Sequence, residues 1–453
     1  MSGSPGLPRR RAGARAVVLA AFAVGGATLG LGAPPAARAE TETLAQAWTR
    51  ALARDPTVAA AAADADAAAA GERAARGARW PSLEAGASYT RYADAPALDV
   101  ATPGFTFRSP RIFDNDDTVM GQARLSLPLF AGGSIHSGIE AARQAKHAAQ
   151  QEQRRTNADL KLDVARSYVG VLRAQRALAA AEASTASLRA HAADVEVMVN
   201  RETVPASDLL AARVALANAE QQRVRAANGV QLALAAYNRR LGESATRVPE
   251  LDEHLGAAVG ADDPAAGPLE PLLEQAHAQR AELAALAAQA AALGAQSKAE
   301  WGRQLPQLAL VGGYDHLETT ILDRQDFSSV GVGISWKLFD GGQARNRAAA
   351  LRRAGNAASL RLEDLRTLVD LEVRQAWLGV REAEARIAAT REAVAQSDEN
   401  LRISRELYGA GLATNTQVLD AIALRIAASN NASDAVLDAA LSRIALQRAI
   451  GAL

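Results

Sequence analysis

The sequence contains no cysteine among its 453 residues. Without cysteine the chain can form neither a disulfide framework nor a thiol-based catalytic or metal centre. A lipid attached to an N-terminal cysteine is excluded as well. Any attachment to a membrane therefore has to come from the polypeptide itself.

Aromatic residues and long apolar runs are also scarce. Aromatic residues make up only 4% of the chain, and no apolar run after residue 39 is long enough for a transmembrane helix. Alanine is abundant, which favours long helices packed closely through small faces over an ordinary globular core. The 50 basic and 50 acidic residues give no excess of positive charge, so the composition does not favour nucleic-acid binding.

Residues 1–39 have the features of a secretory signal peptide. A basic start that includes Arg9 and Arg15 precedes an apolar stretch from Ala16 to Leu31, and a small-x-small site ends at Ala39. We predict cleavage after Ala39. A retained membrane anchor is the alternative, which the interrupting glycines and short apolar run disfavour. Removal of five arginines and no acid leaves the mature chain at 45 − 50 = −5.

One sequence offset relates the two halves of the chain. The run Leu-Phe-Asp-Gly-Gly at 338–342 follows Leu-Phe-Ala-Gly-Gly at 129–133 by 338 − 129 = 209 residues. Ile450-Gly451 follows Leu241-Gly242 by the same number. Because no insertion interrupts this offset, corresponding elements keep equal lengths. The offset predicts two internal structural repeats whose helical hairpins stand side by side and end level.

Four segments alternate as β-strands do, at about 82–94, 118–130, 307–317 and 328–339. The clearest runs from Val330 to Leu338, where even positions are apolar and odd positions are glycine, serine or lysine. The second has Val119, Ala123, Leu125, Leu127 and Leu129 on one face. Residues 308–314 are nearly all apolar, so alternation leaves the facing of the third strand open. The stretch 95–117 is predicted to be a turn-rich loop that includes Pro103-Gly104.

Helices fill most of the remaining chain. The first repeat, 40–242, is predicted to hold a helix over 41–79 with a break at Asp55-Pro56, a long helix 134–200 and a helix 206–241. The second repeat, 268–453, is predicted to hold a helix over 269–303, a long helix 343–408 and a helix 414–450. A long helix of about 66 residues spans on the order of 100 Å. The glycine-, proline- and acid-rich segment 243–267 is predicted to link the repeats.

The second long helix has two heptad seams. One seam is large or branched and the other is small, and their members are, respectively, Val373, Val380, Ile387, Val394, Leu401 and Tyr408, and Ala376, Ala383, Thr390, Ser397 and Ser404. Small side chains permit shallow packing that can slide. The pattern predicts a close helix–helix contact that can move during gating.

The four predicted strands raise a problem of closure. Their length is about the 9 to 11 residues of a membrane strand, but four strands with one apolar face cannot close on themselves. Since lipid does not tolerate open sheet edges, several chains would have to combine into one barrel. The alternative is two ordinary hairpins that cap a soluble helical bundle. Closure alone does not choose between eight, twelve and sixteen strands.

The ends of the helical hairpins carry the most specific motif. Residues 408–421 combine a glycine turn at Gly411 with Thr414, which can cap the next helix, and a following Val-Leu-x-Ala. With this motif the chain resembles the TolC-like outer-membrane efflux protein family. Residues 203–212 are similar, with Glu202 in place of the glycine. Helix-proline-strand junctions at Pro81 and Pro306 extend the resemblance over the whole mature chain.

The resemblance implies a fold, a location and partners. Proteins of this family are homotrimers, in which four strands per chain form a 12-stranded outer-membrane β-barrel continuous with a long periplasmic α-helical coiled-coil barrel. They sit in the outer membrane of Gram-negative bacteria and act passively, as exit ducts of tripartite efflux pumps or type I secretion systems. A periplasmic adaptor and an inner-membrane transporter complete the machine. The linker would surround the helical barrel at mid-height.

Two sets of site residues follow from the resemblance. The adaptor would contact the tips at Val204, Pro205, Gly411, Leu412 and Thr414. Charges in the last turns before the second tip would form threefold rings that gate the entrance, and these are Asp398, Glu399, Arg402 and Glu406. The alternative for the charged residues is an ordinary solvated helix face.

No motif indicates catalysis. The histidines are scattered without metal-ligand spacing, and each is expected to be an ordinary surface or barrel residue: His136, His147, His191, His254, His277 and His316. We therefore predict no enzyme, no cofactor and no metal site. The alternative function is a soluble periplasmic coiled-coil scaffold or adaptor. The transported substrate, whether drug, metal, small molecule or secreted protein, is not specified by the sequence.

Overall fold

The computed structural model describes residues 41–94, 97–111, 113, 116–255, 267–319 and 323–453. The predicted signal peptide, 1–39, and its cleavage site lie outside the described residues. Residues 256–266 of the predicted linker also lie outside them.

Helices dominate the described chain, and the two long ones are equal in length. Each has 67 residues, and each is followed by a helix of 35 residues. The helices are α1 (Leu44–Arg54), α2 (Pro56–Gly77), α3 (Ser134–Asn200), α4 (Ala206–Arg240), α5 (Leu269–Gln279), α6 (Ala281–Gly302), α7 (Gln343–Gly409) and α8 (Asn415–Ala449).

The strands form two antiparallel sheets. A four-stranded sheet has the order β1-β4-β5-β6, and a hairpin pairs β2 with β3. The strands are β1 (Ser82–Arg91), β2 (Ala97–Thr102), β3 (Phe105–Arg111), β4 (Asp117–Phe130), β5 (Gln307–Leu317) and β6 (Asp326–Ser335). The prediction of a loop over 95–117 is wrong in part, because the segment folds into β2 and β3. The predicted turn at Pro103-Gly104 joins them, with Gly104 at φ +98°.

The helix before the third strand is not continuous, contrary to the prediction for 269–303. Arg280 separates α5 from α6 with an extended backbone at ψ 118°, as Asp55 separates α1 from α2 at ψ 123°. The buried Arg280 guanidinium donates to the carbonyl oxygen of Ala449 over 3.1 Å and lies 2.7 Å from the Glu372 carboxylate. These contacts stabilise the break at Arg280, where the sequence has no proline. The break between α1 and α2, in contrast, is marked in the sequence by Pro56.

The shorter helices pack along the two long helices, α3 and α7. Near the sheet, α3 contacts α2 and α6, and α6 contacts α7; near the hairpin ends, α3 contacts α4 and α8, and α8 contacts α7. In the predicted large seam, Val373, Val380, Leu401 and Tyr408 are buried. The small seam is buried at Ala383 and Ser397. Apolar burial along these seams is the main favourable free energy that holds the helices together.

A buried carboxylate ties the start of the described chain to the predicted linker. Glu42 accepts a hydrogen bond from the Tyr237 hydroxyl over 2.9 Å and pairs with Arg50 (3.2 Å) and Arg247. A parallel bridge joins Glu42 to Leu251. Since a buried charge is stable only when it is paired, these contacts fix the linker against α4.

Candidate functional site

The register of the sheet places most of the apolar side chains of the four strands on one face. Leu125 pairs with Leu83 of β1 and with Gly312 of β5, and Leu310 pairs with Leu127 and Val332. Directly opposed residues share a face, so Leu308, Leu310 and Tyr314 lie on the same side as Leu83 and Val332. This register settles the facing of the third strand.

The apolar face has one departure from the sequence pattern. A bulge lies between Pro128 and Phe130, and Phe130 pairs with Leu308. Phe130 therefore takes the apolar position at this end of β4, where the alternation predicts Leu129. The opposite face is mostly polar or small, as at Glu84, Arg124 and Gly333, although Met120, Val311 and Phe327 also lie on it.

Aromatic residues with polar contacts mark both ends of the apolar face. At one end the Tyr89 hydroxyl donates to Asp117 over 2.9 Å, and the Tyr314 hydroxyl donates to Asp326 over 2.6 Å. At the other end the Trp336 indole donates to the carbonyl oxygen of Gln304 over 3.0 Å. An apolar band between aromatic residues is the pattern of a lipid-facing barrel surface.

The turn between α7 and α8 forms the second tip. Gly411 adopts φ +75°, and its neighbour Leu412 donates through its N–H to the carbonyl oxygen of Leu407 over 2.8 Å. Thr414 then caps α8, because its N–H donates to the Gln417 side chain over 2.8 Å and its hydroxyl accepts from the Gln417 N–H. Local sequence alone accounts for this turn.

The first tip has the same turn without the glycine. Glu202, which lies 411 − 202 = 209 residues before Gly411, adopts φ +58° and is the one non-glycine residue with positive φ among the described residues. Pro205 precedes α4 in place of a capping threonine. A left-handed conformation costs a residue with a Cβ atom roughly 1 to 2 kcal/mol. The first tip is therefore the more strained of the two.

A buried polar network joins the two tips. The Nε2 atom of His191 (α3) lies 2.7 Å from the Oδ1 atom of Asn415 (α8), whose Nδ2 atom donates to the carbonyl oxygen of Asp208 (α4) over 3.0 Å. The Tyr408 hydroxyl (α7) donates to the Asp208 carboxylate over 3.2 Å. Burial, with a smaller effect of that carboxylate, raises the pKa of Tyr408 to about 12. One network thus contacts all four helices.

The structure brings the five predicted tip residues to neighbouring turns. Pro205, Gly411, Leu412 and Thr414 are exposed, and Leu412 is 76% exposed. Val204 is half-buried against the apolar cluster that includes Tyr408 and Val418. A partner protein can therefore reach four of the five residues directly.

The four predicted gate residues divide into two groups. Asp398 pairs with Arg425 of α8. Arg402 lies 2.6 Å from both Glu399 and Glu406, one turn away on either side along α7, and all three side chains are more than half exposed. Hydrogen bonds from Arg402 lower the pKa of Glu399. The exposed group has a net charge of −1 per chain.

Sequence reasoning missed the network that joins the tips. His191 is only 5% exposed, so the expectation that each histidine is a surface or barrel residue is wrong for His191. The partners come from four different helices, and no pattern within one helix could indicate them. His254 is 96% exposed at its side chain, as expected.

The described residues hold neither a metal-ligand cluster nor a helix that could span a membrane. No group of three or more histidine, aspartate or glutamate residues within them has the geometry to hold a metal ion. No helix there is both long enough and apolar enough to cross a bilayer.

Comparison with known proteins identifies relatives over most of the chain. Residues 48–243 and 272–452 match the family model of the outer membrane efflux protein. The cobalt-zinc-cadmium resistance protein CzcC of Cupriavidus metallidurans is 28% identical over 290 residues, which are 61% of this chain and 66% of CzcC. The aligned part thus covers slightly less than two thirds of that relative.

Solved structures of similar proteins share the fold. CusC superposes with a TM-score of 0.78 at 19% identity, over 90% of this chain and 92% of that one. The outer membrane protein VceC of Vibrio cholerae gives a TM-score of 0.75 at 18% identity, over 90% and 96%. The open-state outer membrane channel MtrE of Neisseria gonorrhoeae gives 0.72 at 17%, over 90% and 88%.

Proposed function

The chain belongs to the outer membrane efflux protein family, and from this premise we propose that it is the exit duct of a tripartite efflux pump. The resemblance inferred from the tip motifs is therefore confirmed, as is a location in the outer membrane with an extension into the periplasm. The family and the similar structures are channel proteins and not enzymes. A soluble periplasmic scaffold, the alternative, does not account for the apolar sheet face.

The observation that carries the proposal is the open sheet with one apolar face. Its edge strands are β1 and β6, and within the described chain each of them pairs with only one neighbouring strand. A lipid-facing sheet needs every backbone group paired, so the edges have to be closed by other copies. We propose a homotrimer, in which three times four strands form a 12-stranded barrel and the two halves of each chain act as structural repeats.

The polar face of the sheet and the helices would then line the duct. Glu84, Arg124 and the glycines of β6 face away from the apolar band, so a closed barrel encloses a polar lumen. We propose that conduction through this duct is passive. Glu42 and its partners hold the described start of the linker through Arg247, and we propose a position at mid-height on the helical barrel for the linker.

At the tips we propose that Val204, Pro205, Gly411, Leu412 and Thr414 contact a periplasmic adaptor. The exposed Leu412 is an apolar anchor beside a polar rim, as protein interfaces require. The adaptor connects the duct to an inner-membrane transporter. The exposed Glu399, Arg402 and Glu406 group and Asp398 would form the periplasmic gate.

An efflux pump is favoured over a secretion system by the relative's name. CzcC is described as a cobalt, zinc and cadmium resistance protein, and we propose divalent metal cations as the first cargo to test. A strain that lacks this chain should become sensitive to zinc, cadmium or cobalt. Unchanged metal sensitivity together with sensitivity to drugs would assign the duct to another pump.

The mass of the purified protein in detergent tests the duct. Light scattering, with the detergent contribution subtracted, is expected to give three chains per particle. A monomer or dimer that stays soluble without detergent would contradict the barrel and favour the scaffold.

A further inference from the structure

Basic side chains gather where α2 ends, beside the start of α3. We propose that this junction binds the phosphate group of an anionic phospholipid in the leaflet of the outer membrane that faces the periplasm. The inference rests on the proposed lipid contact of the apolar sheet face. It goes beyond that contact because it assigns one headgroup site and the residues that form it.

A cavity of about 550 Å³ lies between the end of α2 and the start of α3. Two of its arginines, Arg76 and Arg79, come from α2, and the third, Arg143, comes from α3. Trp80 and His136 also line it. Trp80 is 74% exposed, and the side chains of Arg76 and Arg143 are 62% and 60% exposed. A ligand can therefore reach the arginines from outside the chain.

The charged groups at this cavity leave an excess of positive charge. Four are basic and two are acidic, which gives 4 − 2 = +2, and they are Arg76, Arg79, Arg143, Lys146, Glu72 and Glu140. Glu72 is paired with Arg76 and, over 3.0 Å, with Lys146, and Glu140 lies 2.8 Å from Arg143. Arg79 forms no ion pair within the described residues. Both carboxylates are thus already neutralised, and a further anion is attracted to the cavity.

The cavity lies at the level where the apolar sheet face begins. Trp80 is separated from β1 by Pro81 alone, and Leu83, which is 71% exposed, is the first residue of β1 on the apolar face. Trp336, which donates to the carbonyl oxygen of Gln304, marks the same end of the sheet. Tryptophan is enriched where the hydrocarbon meets water, at the level of the headgroups. Phospholipid phosphates therefore lie at the height of the three arginines.

The hydrogen bonding fixes on which side of β1 the strand β4 lies. The Tyr92 N–H donates to the carbonyl oxygen of Asp116 over 2.6 Å, so even-numbered residues of β1 turn their N–H and C=O groups to β4. Odd-numbered residues, which include Leu83 on the apolar face, turn their Cα–H to β4 instead. For an L-amino acid whose side chain faces the viewer and whose strand runs upwards, the Cα–H points left. Seen from the lipid with the helices below, β4 and α3 therefore lie to the left of β1 and α2.

Arg76 and Trp80 lie on the lipid side of α2. Glu72 points towards α3, because its carboxylate contacts Lys146 over 3.0 Å. A right-handed helix that runs up to the sheet turns counterclockwise when it is seen from the sheet, by about 100° per residue. Arg76 is therefore rotated by about 40°, and Trp80 by about 80°, from α3 towards the lipid. The cavity thus opens on the outer surface of the helices and not into the duct.

The arginines and the adjoining apolar surface together favour a lipid over a soluble anion. Guanidinium groups bind phosphate through two parallel hydrogen bonds. With the phosphate among Arg76, Arg79 and Arg143, the acyl chains continue upwards along the apolar face that starts at Leu83. The net positive charge selects an anionic headgroup, because a choline or ethanolamine group carries a positive charge of its own.

The corresponding junction in the second half lacks this arrangement. The prolines that precede β1 and β5 are 306 − 81 = 225 residues apart, and this offset puts Trp301 and Gln304 in the places of the two α2 arginines. At the corresponding positions arginine occurs only on α7, as Arg345 and Arg352. Because arginines on one helix cannot hold a phosphate from both sides, we place one headgroup site in each chain, in the first half.

Native mass spectrometry of the purified protein in a non-ionic detergent tests the site. At low salt, phosphatidylglycerol should bind more tightly than phosphatidylcholine with the same acyl chains, because only phosphatidylglycerol has a net negative charge. Glycerol phosphate, which has the phosphate without the chains, should bind far more weakly than phosphatidylglycerol. Equal affinity for the two lipids would overturn the proposal. Binding of glycerol phosphate as tight as that of phosphatidylglycerol would overturn it as well, and would assign the cavity to a soluble phosphate.

Substitution of the unpaired arginine locates the binding. Arg79→Gln copies the residue at the corresponding position of the second half and breaks no ion pair of the described chain, so the fold should be kept. It should weaken phosphatidylglycerol binding about fivefold, the contribution of one cation at a lipid surface. Arg352→Gln removes the same charge at the other junction and should leave the affinity unchanged. An equal loss in both variants would mean diffuse attraction to the whole chain and would contradict a defined site.

Failure of this inference is distinguishable from failure of the proposed function. If light scattering in detergent gives trimers while phosphatidylglycerol shows no preference, or while Arg79→Gln binds it unchanged, the headgroup site is wrong and the duct stands. If the unsubstituted protein stays soluble without detergent, its sheet does not face lipid, and the proposed function fails first.

Discussion

The Nε2 atom of His191 lies 2.7 Å from the Oδ1 atom of Asn415, and this contact joins the first helical hairpin to the second beside their tips. The amide of Asn415 is oriented by its other bond, in which Nδ2 donates to the carbonyl oxygen of Asp208. Oδ1 therefore faces the histidine as an acceptor, and Nε2 has to carry the hydrogen. The two hairpins are coupled through a bond whose geometry is fixed on both sides.

Loss of this bond should loosen the tips. In His191→Leu the buried Asn415 keeps an acceptor without a donor, which costs about 1 to 3 kcal/mol. We expect a lower thermal unfolding midpoint by circular dichroism and faster tryptic cleavage at the exposed Arg201. His254→Leu, at a side chain that is 96% exposed, should change neither. Equal cleavage rates in the two variants would contradict the coupling.

The strain at Glu202 predicts a stabilising substitution. Glycine adopts φ +58° without a Cβ clash, and it adds some entropy to the unfolded chain. Glu202→Gly should therefore slow hydrogen exchange at the first tip by a net gain of about 0.5 to 1 kcal/mol. Gly411→Ala is the converse substitution: it places a Cβ atom at φ +75° and should therefore speed hydrogen exchange at the second tip. Faster exchange in Glu202→Gly would show that the glutamate side chain stabilises the turn.

Sequence reasoning worked where the signal lies within one element. The alternation in β6, the glycine turn at Gly411 and the break at Pro56 depend on neighbouring residues, and all appear in the structure. It was wrong, or left the question open, where distant residues decide. The break at Arg280 is held by Ala449 and Glu372, and the facing of β5 follows from its register with β4. The His191 network is of the second kind, since it joins four helices.

Asp340 should make the start of α7 sensitive to acid. Its carboxylate accepts from the N–H groups of Ala344 (2.9 Å) and Gly342 (2.8 Å), and these bonds, the first above all, lower its pKa below the ordinary 3.8. A lowered pKa in the folded state means stabilisation that is complete above 3.8 and disappears as the pH falls through the folded value. The counterpart in the first half is Ala131, which has no carboxylate to titrate.

We expect Asp340→Ala to lower the thermal midpoint at neutral pH, and the difference from the unsubstituted protein to shrink in acid. Asp340→Asn keeps one acceptor for the helix N–H groups but cannot titrate. The thermal midpoint of Asp340→Asn should therefore depend less on pH in the acid range than the midpoint of the unsubstituted protein does. Midpoints measured by circular dichroism from neutral pH to below 3.8 check both, and a constant difference for Asp340→Ala would contradict the capping role.

The proposed gate predicts altered ion flow. Removal of three carboxylates from a narrow ring should weaken cation selectivity and change single-channel conductance in Asp398→Ala and Glu399→Ala. Asp398→Ala also frees Arg425, so it should have the larger effect. Glu220→Ala on α4, whose carboxylate pairs with Arg189, is the control away from α7. Unchanged conductance and selectivity in both gate variants would mean that these charges are solvated helix positions.

The small seam of α7 predicts a variant that separates insertion from opening. Ala383 is 3% exposed and precedes Glu384, whose carboxylate lies 2.5 Å from Arg443 of α8. A leucine in this closed site is overpacked, which costs about 1 to 3 kcal/mol and pushes α7 away from α8. Ala383→Leu should therefore lose efflux while the protein still fractionates with the outer membrane, because the strands are untouched. Ala388→Leu, on an exposed face whose counterpart Ala179 is also exposed, should retain efflux. Normal efflux in Ala383→Leu would refute close packing through this seam as a requirement for opening.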